Sequence, residues 1–450
     1  MTRLPDLLTL LANGPLLAGT VVERLGISRP TLSRLVATAG DRVIRYGTAR
    51  ATAYAARRSV AGLGAWPVYR IGEDGRAISI ATLHAVAGGY LAELHEHGRA
   101  EFSEGLPWWL QDMRPQGFLG RAFAHQHARR LNLPDTLNLW NDDHALIAIA
   151  ALGNDTPGNL LVGDMALADY LQTDDAPAIT MSSRTLHYPA FATAALAGET
   201  PGSSAGGEQP KFTTELEVEG QRCAVLVKFS SAADNAISCR WASLLVAEHH
   251  AQRALHAGGL PTSPSTLFET GDQMFLQIER FDRLPSPAGG AHHLGRRGMV
   301  SLAALDDAFV GKADQAWPVI TASLVAQGRI APEVHLLAER LYAFGLLIGN
   351  TDMHRGNLSF LHTGGILQLA PSYDMLPMHY APRISGEMND SAPEIRFRSP
   401  PSLEAWRDML PLAQAWARSA AADTRIDHEM RTAIGIQVEN LERFGASLGA

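Results

Sequence analysis

The sequence has little cysteine, little lysine and no long apolar run. Only Cys223 and Cys239 occur among 450 residues, too few for a disulfide scaffold or a thiolate zinc site. The longest apolar stretch, residues 144–153, is cut short by Asn154, Asp155, Pro157 and Gly158. A bilayer span needs about 20 apolar residues in a row, so no contact with a membrane is expected. The opening MTRLPDLLTLLANGP lacks a small-residue cleavage site, and the expectation is a cytoplasmic protein without a signal peptide. With 46% hydrophobic and 19% charged residues, the composition excludes disorder and collagen-like repeats. At about 150 residues per domain, the length suggests about three domains.

Lysine occurs only as Lys211, Lys228 and Lys312 among 38 basic residues, so each lysine invites a question. Charge is also uneven. Residues 1–60 carry nine arginines against Asp6, Glu23 and Asp41, while the whole chain has a formal net charge of −8. A basic front on an acidic body suggests contact with nucleic acid at the front. Residues 4–12 and 16–25 read as helices. Ser28 reads as the N-cap of a third helix to about residue 38, with Pro30 in its first turn. Helix, glycine turn and capped helix is helix-turn-helix spacing, and residues 43–46 and 51–55 fit the two strands of a wing. Such a winged module would place Ser28, Arg29, Thr31, Ser33 and Arg34 at the major groove of double-stranded DNA. Arg50 would reach phosphate or the minor groove. A small helical domain used for protein contacts is the competing reading.

Residues 59–65 read as a small-residue linker. Strands are expected at 68–71 and 77–80 and a helix at 82–93, with Trp108, Trp109 and Trp140 packing a core. Residues 198–205 (GETPGSSA) read as a mobile loop. Strands are then expected at 213–218, 223–229 and 274–279, with a helix at 239–257. The pattern after residue 290 is helical: 300–305, 317–326, 332–347, 402–418 and 427–444. Strands followed by helices is an α+β order.

Chemistry concentrates in Gly349-Asn350-Thr351-Asp352-Met353-His354-Arg355-Gly356-Asn357, between an apolar helix and a short strand-like run. An Asp followed five residues later by an Asn is the spacing of a kinase catalytic loop. There the Asp accepts a hydroxyl proton and the Asn oxygen ligates Mg²⁺. Asp374 is the candidate for a second hard oxygen ligand. A polar turn with Asx caps accounts for the same composition, so the spacing is weak evidence alone. Lys228 closes the run Ala224-Val225-Leu226-Val227, the layout of a strand lysine that reaches the phosphates of ATP, and Glu248 in the next helix is its candidate partner. Gly206-Gly207-Glu208-Gln209-Pro210-Lys211 can lay N–H groups over phosphates but is not a Walker A sequence. The pairs His249-His250 and His292-His293 lack metal-ligand spacing, and His354 reads as a residue that orients its loop.

These residues resemble the HipA-like serine/threonine kinases of bacterial toxin–antitoxin systems. The likeness rests on residues 204–212 (SAGGEQPKF), Val227-Lys228, Glu279-Arg280-Phe281-Asp282-Arg283, the loop from Asp352 to Asn357, and residues 370–377 (APSYDMLP). With its helix-turn-helix, the chain is similar to the YjjJ-type branch. The resemblance implies an α+β fold: a two-lobed, protein-kinase-like body behind a winged helix-turn-helix domain. The expected boundaries are 1–58, 66–197, 198–285 and 286–450. It implies ATP and Mg²⁺ as cofactors, Asp352 as catalytic base, and Asn357 and Asp374 as metal ligands. The implied ATP site comprises Gly206, Gly207, Gln209, Lys211, Lys228, Glu248, Gln277, Glu279 and His354, with the backbone of 277–279 holding adenine. Ser204, with Ser203 adjacent, fits the autophosphorylated loop serine, whose phosphate would shut out ATP. Known substrates of that family are aminoacyl-tRNA synthetases, and a homodimer on DNA is compatible with the front domain. Two other readings stay open: a DNA-binding regulator whose body is a degenerate nucleotide sensor, and a small-molecule kinase.

Overall fold

The structure is a computed structural model that describes residues 3–96, 98–172, 179–197, 209–232, 234–287, 293–362, 367–383 and 385–449. The expected loop at 198–205 lies outside them. Among the described residues no helix is long and apolar enough to cross a membrane.

At the front, helices Leu4–Leu10, Ala18–Leu25 and Arg29–Ala39 close around Leu7, Leu11, Val21 and Leu32. Gly26 stops the second helix in the left-handed region at φ +58°, and the Ser28 hydroxyl accepts from the Thr31 amide at 3.3 Å to start the third. Strands Val43–Tyr46 and Ala53–Ala56 pair antiparallel. The second helix begins later than residue 16 because Leu16–Leu17 pairs with Ala53 and Tyr54 as a third strand. Residues 59–65 are not a free tether. Arg58 donates to the Val86 carbonyl at 2.8 Å and to Asp143 at 2.7 Å, and Ala55 packs with Val86 and Leu91.

A five-stranded antiparallel sheet comes next, in the order Arg99–Ser103, Gly89–Leu94, Ala77–Val86, Ala65–Ile71, Leu160–Val162. It corrects the helix expected at 82–93, which is two strands. Leu83 through Val86 are all buried, so the run loses the alternation that marks a half-exposed strand. Gly88 and Gly89 make the hairpin, and a Cβ on Gly89 would sit 2.0 Å from the Ser103 carbonyl oxygen. Trp140 is buried, whereas Trp108 and Trp109 are half-buried and border a cavity of about 640 Å³.

The second main sheet runs Ser265–Thr270, Gln273–Glu279, Gln221–Phe229, Lys211–Val218, Ile179–Thr180. The sequence pattern does not predict its strand Ser265–Thr270. Alternation divides its faces. Val225, Val227, Phe229 and Phe275 join Tyr188 of helix Arg184–Leu196 in an aromatic cluster. Leu276 and Ile278 face helix Ala236–Ala257 in the largest core. That core continues through helices Trp317–Ala326, Pro332–Ile348, Leu403–Ala422 and His428–Ser447. The helix expected at 300–305 is displaced: Gly298–Ser301 is a strand, and the Ser301 hydroxyl caps helix Leu302–Phe309. The body is α+β, strands first and helices after.

Candidate active site

Lys228 is the penultimate residue of strand Gln221–Phe229 and lies across the ladder from Leu276, on the face that looks toward helix Ala236–Ala257. Glu248 lies within that helix. The Lys228 ammonium donates to both Glu248 carboxylate oxygens, at 2.6 and 2.8 Å, and also to Asp374. Lys228 is 2% exposed and Glu248 0%. Trp416 fixes the helix from behind, its indole N–H donating to the Ala247 carbonyl at 3.0 Å.

Burial is the largest influence on each ion and opposes its charge; the partners answer it. Desolvation would raise the Asp374 carboxyl, but Lys228 and Lys211 hold it at about 2. Burial pushes the Glu248 carboxyl up, against the pull of Lys228. Burial would lower Lys228, yet Asp374 and Glu248 carry it above the ordinary lysine value. Lys211, also 2% exposed, stands opposite Lys228 in the ladder.

The loop that carries Asp352 leaves helix Pro332–Ile348 through Gly349, in the left-handed region at φ +80°. Asn350, a residue the sequence does not single out, organises this loop. Its side-chain NH₂ donates to the Asp374 carbonyl at 3.2 Å, and its oxygen accepts from the Asp352 amide at 3.0 Å. Asn357 donates to the Asp352 carbonyl at 2.7 Å. The two asparagines therefore hold the loop and the segment of Asp374 together. Asp352 is exposed on a cavity of about 570 Å³. His354 acts within its own loop, its Nδ1 accepting from the Gly356 amide at 3.0 Å while its carbonyl accepts from the Trp317 indole at 3.0 Å. Tyr373 donates to the Gly356 carbonyl at 2.6 Å.

A hard divalent cation prefers few carboxylates and oxygen donors, and Asp374 with Asn357 fits that chemistry. Asn357 has spent its NH₂ on Asp352, leaving the amide oxygen, and Asp374 is held ionised. Among the described residues there is no cluster of three His, Cys, Asp or Glu side chains able to hold a metal.

Other expected site residues lie elsewhere. The Gln277 side chain is on the opposite sheet face from Lys228, because its ladder partner is Val227; its oxygen accepts from Arg184 and Tyr188, each at 2.9 Å. Glu279 is on the Gln277 face, and its amide donates to the Pro264 carbonyl at 3.0 Å. Gln209 has a buried Nε2 with no hydrogen-bond partner among the described residues. Gly206, Gly207, Ser203 and Ser204 lie outside them. At the front, Arg29, Ser33 and Arg34 are exposed on the third helix, and Arg50 is exposed between the two strands. The Ser28 and Thr31 hydroxyls are occupied with each other at 2.9 Å.

Residues 203–438 match the family described as the HipA-like C-terminal domain, and residues 63–171 match the YjjJ-like toxin middle domain. The chain belongs to the HipA-like toxins. Within this family it is 39% identical to the toxin YjjJ of Escherichia coli (strain K12) over 428 residues, 95% of each chain. Among solved structures, this HipA-like chain is similar to HipA of Shewanella oneidensis MR-1, solved with HipB and its operator DNA. Identity there is 16%, coverage 84% of this chain and 96% of that one, and the TM-score 0.45. It is also similar to the Helicobacter pylori proinflammatory kinase CtkA, at 14% identity, 54% and 90% coverage and a TM-score of 0.39.

Proposed function

We propose that this protein is an ATP- and Mg²⁺-dependent protein serine/threonine kinase that binds DNA through its front domain. The observation that carries the reading is the buried bridge from Lys228 to Glu248 and Asp374. It joins a strand lysine, a helix glutamate and the aspartate behind the Asp352–Asn357 loop, the set that protein kinases use for phosphoryl transfer. Glu248 holds the Lys228 ammonium in place to take ATP phosphate oxygens. Asp352 accepts the proton of the acceptor hydroxyl as its oxygen bonds to the γ-phosphorus and the bond to ADP breaks. Asn357 and Asp374 would hold Mg²⁺, which neutralises phosphate charge when bound. His354 keeps the loop in shape. Lys211 and the residues from Gly206 to Gln209 are assigned to the phosphates, and the backbone near Gln277 and Glu279 to adenine.

The proposed boundaries are 1–58 for the winged helix-turn-helix, 66–197 for the middle region, 198–285 for the first lobe and 286–450 for the helical lobe. Ser204 or Ser203 is the proposed autophosphorylation site, an aminoacyl-tRNA synthetase the protein substrate, and the cytoplasm the compartment. Exposed Arg29, Arg34 and Arg50 support DNA contact by a front domain rich in arginine, with a homodimer as the form that would meet a two-fold operator. A nucleotide-sensing regulator that transfers nothing is disfavoured by the joint presence of Lys228, Asp352, Asn357 and Asp374.

Calorimetric titration with ATP tests the nucleotide site. Binding should require Mg²⁺ and weaken in Asp374→Asn. Equal affinity with and without Mg²⁺, unchanged in that variant, would contradict the assignment.

A further inference from the structure

A cavity of about 480 Å³ lies between the middle region and the strand that carries Lys228, a size suited to a small molecule. Arg222, Arg280, Arg283 and Arg296 are on its wall, with the exposed Arg130. Three of these have acidic partners. Arg222 pairs with Glu215 at 3.0 Å. Arg280 pairs with Asp155 at 2.8 Å and with Asp282 at 3.0 Å. Arg283 reaches Asp155 at 2.8 Å and Asp282 at 2.7 Å.

Arg296 differs. It is 5% exposed, donates from Nη2 to the Asn154 carbonyl at 2.5 Å, and lies 4.7 Å above the Tyr170 ring. Its Nε and Nη1 are buried with no hydrogen-bond partner among the described residues. Arg283 stands directly opposite it in the ladder, a like-charge pair that opposes folding. Arg280 and Arg283 thus share the carboxylates of Asp155 and Asp282 between them, and the charge of Arg296 is left without a hydrogen-bonded carboxylate among the described residues. Burial, with the charge of Arg283, pushes the Arg296 guanidinium down to about 9. An interior cation with open donors is costly unless something answers it.

We infer that this cavity binds a phosphate-bearing small molecule, whose anionic group accepts from the open nitrogens of Arg296. A phosphate brings the missing charge and several acceptor oxygens at once, and arginine suits it. Tyr170 and His293, whose rings lie tilted with centroids 4.3 Å apart, are on the same wall and give the rest of the molecule an apolar contact. Lys228, Glu248, Asp352, Asn357 and Asp374 do not line this cavity, so the site is separate from the proposed nucleotide site.

The test is calorimetry on the full-length protein with inorganic phosphate at constant ionic strength. A non-hydrolysable ATP analogue and Mg²⁺ are present to fill the other site, and AMP then replaces phosphate. Saturable phosphate binding, weakened at least about tenfold in Arg296→Gln, is expected. Tighter binding of AMP would identify a phosphorylated ring compound as the class, and equal binding a compact phosphate. No heat beyond chloride, or equal affinity in Arg296→Gln, would overturn the inference. If that variant does not fold, a wild-type crystal soaked in phosphate decides: an anion on Arg296 supports the site and an empty cavity refutes it. Failure of the analogue to bind would count against the nucleotide reading and leave the comparison of Arg296 variants intact.

Discussion

Lys228 and Asp374, 146 residues apart in sequence, meet in a buried ion pair that Glu248 completes from the helix between them. Removing the cation strands the buried Glu248 carboxylate and the partly buried Asp374. Lys228→Met should therefore lower unfolding stability by about 3–5 kcal/mol, read as a shift in the urea midpoint. A midpoint within error of wild type would show that the bridge does not hold the lobes' charges in balance.

Asp352 is exposed and contributes little to packing, so function and stability should separate there. Asp352→Gln should keep the wild-type melting temperature while losing about 10²–10⁴-fold in phosphate transfer, the usual worth of a general base. A parallel loss of melting temperature would point to a structural role.

His249 links stability to pH. Burial, with His250, Arg253 and Arg425 nearby, holds its imidazole at about 4, against an ordinary 6.5. The unfolded chain therefore binds more protons between those values. The stabilisation from keeping His249 neutral is complete above 6.5 and fades as pH falls toward 4. Melting temperatures at pH 5 and 7 should differ less in His249→Gln than in wild type; the same difference in both would refute this linkage.

For the front domain, substitutions should divide by role. Ser28→Ala removes the N-cap and should cost about 1 kcal/mol of stability. Arg34→Ala, at an exposed site, should leave melting unchanged. It should weaken binding to genomic DNA fragments and flatten the salt dependence, as loss of one phosphate contact does. Equal binding by wild type and Arg34→Ala at every salt concentration would remove this arginine from the interface.

Arg58 anchors the front domain to the middle sheet through Val86 and to the helix Asp142–Leu152 through Asp143. Arg58→Ala should cost about 1–3 kcal/mol, because the Val86 and Gly89 carbonyls lose a donor and Asp143 keeps that of Tyr90 without its ion partner. Limited proteolysis should then cut near residues 59–65 faster than in wild type.

Much of this architecture is legible in the sequence where turn and cap residues bound an element, as Pro318 and Gly328 bound the nearly all-apolar helix 317–326. Helix 317–326 matches to the residue, and strand 43–46 likewise. Legibility fails at residues 82–93, where both strand faces are covered and periodicity vanishes, and at Leu16–Leu17, where the distant pairing partners Tyr54 and Ala53 decide the conformation. Lys228 draws attention through the scarcity of lysine. Asn350 carries a weaker signal, a polar residue two places before Asp352 at a helix end. That Gln277 turns away from Lys228, toward Arg184 and Tyr188, follows from its register with Val227, and a single strand read alone does not contain that register.

The most direct test of the central claim is to incubate purified wild type and Asp352→Gln with Mg²⁺ and γ-labelled ATP, then map phosphosites. Label on Ser203 or Ser204 in wild type alone is the predicted result. No label in either protein, or equal label in both, would contradict a kinase with Asp352 as its base.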